Sequence, residues 1–374
     1  MNRLGAVLAL AAIWPALATA GERWRLQYFY DPPEDAEFAI AALAFPSARV
    51  GFAAGSVRPK WGKPKPYAVA TADGGKTWTP ARVPASAVSL FFLDERTGWL
   101  VEAGGAIWHT DDGGHNWTRA TTAPNAGRVY FRDRQRGWAV GDKKSVWQTS
   151  DGGVTWTAVE EAAKPETSIA LTGYSAIAFA SANNGLIVGW SMPPRPGEQR
   201  RRSRRVDPES QPRGRPGVAI SLQTQDGGAT WKESETSMFG LPIALSLAPN
   251  GEGLLLIEFF EYLGRFDYPS EVYHLDLTSG NSTRSFRRKH RVVTDVLAEA
   301  KGPSYLAAVE PAGTLFQSPL PGKLKILKSD DLENWDEMEV DYRGVARSAR
   351  LASPDGVNVW VGTDTGMILK LVPE

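Results

Sequence analysis

Thr149-Ser150-Asp151-Gly152-Gly153-Val154-Thr155-Trp156 is the stretch on which the reading of this chain turns. An Asp and two consecutive glycines between β-prone runs make a tight turn. Glycine takes positive φ at little steric cost, and the carboxylate accepts bonds from nearby backbone amides. The Trp that follows has an apolar face too large to leave in water. The stretch recurs as Thr71–Trp78, Thr110–Trp117 and Thr224–Trp231, and Ser329–Trp335 (SDDLENW) is a shorter, glycine-free relative. Repetition of this kind describes a scaffold before it describes a site.

Trp78 to Trp117 is 39 residues, and Trp117 to Trp156 is again 39. A period of about 40–45 residues with four strands per unit is the signature of a β-propeller blade. Phe91–Leu100 aligns with Tyr130–Ala139, and Ala106–Thr110 with Ser145–Thr149. Each unit therefore reads as strand A, strand B opening at Gly-Trp, strand C, the Asp-Gly-Gly turn, and strand D opening at the box Trp. Blade one has A near Phe38–Phe45, B at Val50–Gly55 and C at Tyr67–Ala72; blade four has A at Tyr174–Ala180, B at Gly185–Trp190 and C at Val218–Thr224. Blade five is expected over Ile243–Arg287 with a decayed turn at Thr278–Asn281, and blade six over Val292–Val340. Val345–Leu351, Asn358–Gly362 and Met367–Leu371 leave a last unit one strand short. Trp24–Phe29 completes it, with Trp24 in the place of a box Trp, so that first and last strands close the ring and remove the open edges. The expected fold is all-β, a seven-bladed β-propeller over residues 21–374.

The start of the chain reads differently. Met1-Asn2-Arg3, an apolar run from Leu4 to Leu17 and Ala18-Thr19-Ala20 describe a signal peptide over residues 1–20, cleaved near Ala20-Gly21, which predicts a periplasmic or extracellular protein. The run is too short for a spanning helix, and no later stretch is long enough. The chain has no Cys, hence no disulfide framework and no lipid-attachment thiol. Lys and Arg total 42 and Asp and Glu total 42, so net charge argues against nucleic acid as a partner. Four His and no Cys, with His109 and His115 flanking a turn, give no zinc spacing. No phosphate loop or nucleophile elbow is present, so no cofactor, metal or catalytic residue is expected.

The pattern F-x-D-x-x-x-G-W-x-V-G followed by I-x-x-T-x-D-G-G-x-T-W resembles Asp-box (BNR) repeat propellers. It is most similar to the family of the photosynthesis system II assembly and stability factor and its non-photosynthetic bacterial relatives. Gly98-Trp99, Gly137–Gly141 and the four Asp-Gly-Gly turns carry the resemblance, which is densest over residues 86–160. It implies an exported, monomeric, non-catalytic scaffold that holds a protein client, such as the exported segment of a membrane protein. Sialidase-type hydrolases share such boxes, so a carbohydrate-binding or glycosidase propeller is the alternative; their Arg-Ile-Pro motif does not occur here.

Within a blade, alternate turns fall on opposite faces. The boxes (Asp73 with Trp78, Asp112 with Trp117, Asp151 with Trp156, Asp226 with Trp231) are then structural turns on one face. The B–C and D–A loops share the other, and there the repeat is broken. Insertions are expected at Ser56–Pro66, Ser191–Pro216, Glu261–Pro269 and Pro311–Gly322. Long loops on a rigid scaffold are where binding residues gather. The second insertion holds Arg200, Arg201, Arg202, Arg204 and Arg205, whose guanidinium forks suit acidic segments, anionic headgroups or polyanionic glycans, though a solvated loop without a specific role fits equally. Arg287, Arg288, Lys289 and Arg291 form a D–A loop beside them, and Trp61, Tyr262, Arg265 and Tyr268 supply the aromatic and cationic anchors that protein interfaces favour. Asp31, Glu34, Asp35, Glu37, Glu161 and Glu166 give the same face an acidic side.

Overall fold

The computed structural model describes residues 21–31, 36–193, 216–260, 267–315 and 318–373. The expected signal peptide, Arg200–Arg205, Tyr262 and Arg265 lie outside them. Seven antiparallel blades stand in a ring, strand A innermost in each. Blade three is typical: Ala126–Phe131, Gly137–Gly141, Ser145–Thr149 and Thr157–Ala158. The only helical pieces among the described residues are two short 3-10 turns, Glu160–Ala163 and Ile169–Leu171, between blades three and four. No described helix is long and apolar enough to cross a membrane.

Glu22–Phe29 pairs antiparallel with Met367–Pro373 and forms the outer strand of blade seven. The ring is closed by the two ends of the chain, as the sequence predicts. Trp24 is buried there, edge-on to Tyr305 with centroids 6.2 Å apart, and its indole N–H points at the Met338 sulfur at 3.3 Å. Its partners thus belong to blade six, whereas Trp78, Trp117 and Trp156 each meet the Phe of their own blade.

The seams between blades explain the Phe…Gly-Trp spacing. Phe131, ending strand A of blade three, stacks on Trp99 of blade two at 3.5 Å and 6°. Phe45 stacks on Trp360 of blade seven at 3.6 Å, and Phe92 on Phe52 of blade one at 4.4 Å. Gly51, Gly98, Gly137 and Gly185 open strand B because a Cβ there would lie 2.2 to 2.6 Å from the ring of the blade's own Phe. The box Trp residues meet the same Phe edge-on, Trp156 against Phe131 and Trp117 against Phe92. Trp99, Trp138 and Trp360 are the buried plugs of the seam; Trp78, Trp117 and Trp156 are half-buried at its rim.

Two boundaries differ from expectation. Ser56–Pro66 is mostly not a loop, because Gly51–Pro59 and Lys65–Thr71 stay paired as far out as Val57 opposite Lys65, leaving residues 60–64 as the tip. Val345–Leu351 is not one strand. Val345–Ala346 pairs with Gly322–Ser329 of blade six, and Ala349–Ala352 begins blade seven. Blade five has all four strands, its decayed turn rebuilt around Asp276, which accepts the Thr278 and Ser279 amides, with Gly280 at φ 73°.

Candidate functional site

The repeated turns are tied internally. In the third copy Asp151 Oδ1 accepts the Thr155 amide at 2.9 Å and the Thr149 hydroxyl at 2.7 Å, while Thr149 Oγ1 accepts the Gly153 amide at 3.0 Å. The Thr155 hydroxyl donates to the other carboxylate oxygen. The same set of bonds recurs around Asp73, Asp112 and Asp226. The carboxyls of Asp73, Asp151 and Asp226 fall to about 2, chiefly through the Thr hydroxyl, and that of Asp112 through the Asn116 amide. In the glycine-free relative, Leu332 adopts φ 61° in place of glycine. The Gly152 amide donates to the Gln135 carbonyl of the A–B turn, and Gly113 to Arg96, which puts both turn types on one face. With every oxygen engaged, these carboxylates are braces of the turn.

The opposite face carries the loops. Trp61, at the tip of the long hairpin, is 83% exposed, and Arg58, Lys63 and Lys65 around it are exposed as well. No acidic residue occurs between Glu37 and Asp73. Four blades away in sequence order, Arg287 lies over the Tyr268 ring at 4.2 Å and Lys289 at 5.9 Å. These cations are not free charges. Arg287 pairs with the buried Glu271 at 3.2 Å, Lys289 with Asp267 at 3.5 Å, and Arg291 with Glu337 at 2.8 Å. Arg288 donates to the Trp335 carbonyl. On the acidic side, Glu37 pairs with Arg347 and Glu161 with Lys164.

The central channel holds residues that the sequence reading missed. A cavity of about 290 Å³ is lined by the A strands, including Ser89, Arg128, Asp295 and Arg350. A second cavity of about 550 Å³ shares Val88 and Arg128 with it and opens among Gly104, Asp142, Lys143 and Trp190 on the loop face. Six of the seven A strands carry a register shift where one extra residue is inserted, as at Ala126/Arg128 and Val293/Asp295. Such bulges leave backbone groups unpaired. Arg350 uses two of them, donating to the carbonyls of Thr294 at 2.9 Å and Ala41 at 3.4 Å. Asp295 accepts the Leu351 amide at 2.9 Å. The signal available in sequence was an Arg on an innermost strand, in the register where blade two has Ser89.

No two carboxylates share either cavity: Asp295 lines the first and Asp142 the second. Among the described residues no group of three or more His, Cys, Asp or Glu is placed to hold a metal ion.

No family model matches the chain, and no characterised protein matches it by sequence. Solved structures do. YCF48 bound to a D1 peptide is 16% identical with a TM-score of 0.59, covering 96% of this chain and 99% of that one. YCF48 from Cyanidioschyzon merolae is 14% identical with a TM-score of 0.56, covering 93% and 98%. An ancestral GH74 enzyme is 12% identical with a TM-score of 0.54, and the match spans 92% of this chain and 46% of that one. The fold is shared. At these identities the likeness is one of architecture.

Proposed function

We propose that this chain is an exported, non-catalytic propeller, built on Asp-box turns, that captures a protein client on the face bearing the B–C and D–A loops, in the manner of an assembly factor. The observation that carries the reading is the hairpin tip. Transferring a Trp ring out of water is worth about 2–3 kcal/mol, yet Trp61 is held in solvent on a ladder that keeps it projecting. An aromatic anchor ringed by cations fits a partner with an apolar spot in an acidic surround. The D1-peptide complex of the similarly folded YCF48 supplies a precedent for a propeller holding a peptide. Arg200, Arg201, Arg202, Arg204 and Arg205 belong by chain order to the B–C insertion of blade four, and their role is part of this proposal. A carbohydrate-cleaving alternative requires a pair of facing carboxylates about 5–9.5 Å apart; neither channel cavity supplies two, and of the three that line an outer cavity, Glu337 is paired with Arg291 and Asp341 with Arg343.

The test is capture of clients from the cell envelope by the tagged full-length protein. Changing Trp61 to Ser, or the five arginines to Ser, is expected to lower recovery, and raising ionic strength should weaken it further. Unchanged recovery with both sets of substitutions would refute the loop-face reading. A chromogenic glycoside turned over by the protein would refute the non-catalytic part.

A further inference from the structure

The channel contains a charged group without a counterpart. Arg128 is half-buried on strand A of blade three, directly after the bulged Gly127, and lines both the channel cavity and the cavity at its mouth. Among the described residues its guanidinium has no hydrogen-bond acceptor and no ion-pair partner. Arg350, by contrast, is held by carbonyls of blades one, six and seven. Asp295 supplies the one carboxylate of the lining, and one of its oxygens is taken by the Leu351 amide. Arg350 also has the Glu258 carboxylate, outside the lining, within electrostatic reach, so the guanidinium left without a bonded partner beside this space of about 290 Å³ is that of Arg128.

We propose that the channel is a binding site for a carboxylate group, gripped by Arg128 with Arg350 as the fixed second cation. A desolvated guanidinium gains most from a planar acceptor with two oxygens, which matches its fork. A single carboxylate fills the one unengaged fork, whereas a phosphate dianion would bring a second negative charge beside Asp295. Burial, and then the charge of Arg350, pull the Arg128 pKa down while Asp295 opposes them, so the arginine sits where its own charge is poorly compensated. Access is from the loop face, because the mouth cavity is the one that shares Arg128. The carboxylate could be delivered by a small free acid or by the end of a peptide; the chemistry is the same, and the site stands independently of the client surface on Trp61.

Calorimetry on the full chain at pH 8 distinguishes these cases with four probes: propionate, inorganic phosphate, and one short neutral peptide with a free or an amidated C-terminus. Saturable binding of propionate or of the free-acid peptide, with the amidated peptide inactive, supports the assignment; propionate alone points to a free acid, and the free-acid peptide to a chain end. Arg128→Met should lower that affinity about tenfold or more, and Arg128→Lys should restore part of it. Asp295→Asn, which keeps an acceptor for the Leu351 amide, should raise it. That opposite sign keeps the test meaningful even if Arg128→Met folds poorly. Absence of carboxylate binding, tighter binding of phosphate than of propionate, or weaker binding by Asp295→Asn would overturn the proposal.

Discussion

Glycine is required in this protein at places where a ring, rather than a turn, excludes a side chain. A Cβ on Gly137 would meet the Phe131 ring at 2.5 Å, in a ring already stacked on Trp99, so it has nowhere to move. Gly137→Ala should lower unfolding free energy by about 1–3 kcal/mol in urea titration, as overpacking does. Gly127→Ala, where nothing lies within 4 Å, should change it by less than about 0.5 kcal/mol. Glu299 is the other single residue with a clear consequence. Burial, and next the nearby Asp355, raise its carboxyl from 4.5 to about 7. The native state therefore holds a proton that the unfolded chain releases. Its contribution to stability is complete below about pH 4.5 and is lost as pH rises toward 7. Glu299→Gln should flatten that slope and raise the melting temperature at pH 8, a comparison that scanning calorimetry across pH can make.

The turns and hairpins divide into those the sequence displays and those it conceals. The Asp-Gly-Gly turns were legible because each needs the same Thr, Asp and glycines to close its own bonds, so the pattern is printed in every copy. Their depressed carboxyls give stability that is present above pH 3.8 and lost as pH falls toward 2. Asp151→Asn, which cannot take two donors on both oxygens as a carboxylate does, should lower stability at neutral pH and narrow the gap from wild type near pH 2, read by acid titration of tryptophan fluorescence. Ser56–Pro66 reads as a loop because its prolines suggest a break, whereas Pro59 ends one ladder opposite Ala36 and Pro66 is accommodated opposite Ser56, one step inside the end of the other. The split of Val345–Leu351 was hidden for a related reason: both halves are β-prone, and only tertiary pairing assigns Val345–Ala346 to blade six. Arg128 and Asp295 escaped notice because their placement depends on bulges, which shift register by one residue without any fixed residue type. The scaffold is thus written locally, and the channel chemistry is written only in three dimensions.

For the molecule as a whole, blade seven is shared between the chain's beginning and its end. Removing residues 21–31 deletes an outer strand and Trp24 together, and leaves Met367–Pro373 with an unpaired edge. Such a chain should self-associate, visible as higher mass in light scattering, while the aromatic seams of blades one to six keep most of the far-ultraviolet signal. Trp24 and Met338 are 314 residues apart, and neither is covered until both are present. The pairing that closes the ring, with Glu22 opposite Pro373, spans nearly the full described chain. A product truncated at either terminus, whatever its other blades do, keeps an open seam that a protease or a chaperone can read. Circularity in this fold works as an inspection step: blade seven passes only when Met367–Pro373 has been made and has met Glu22–Phe29.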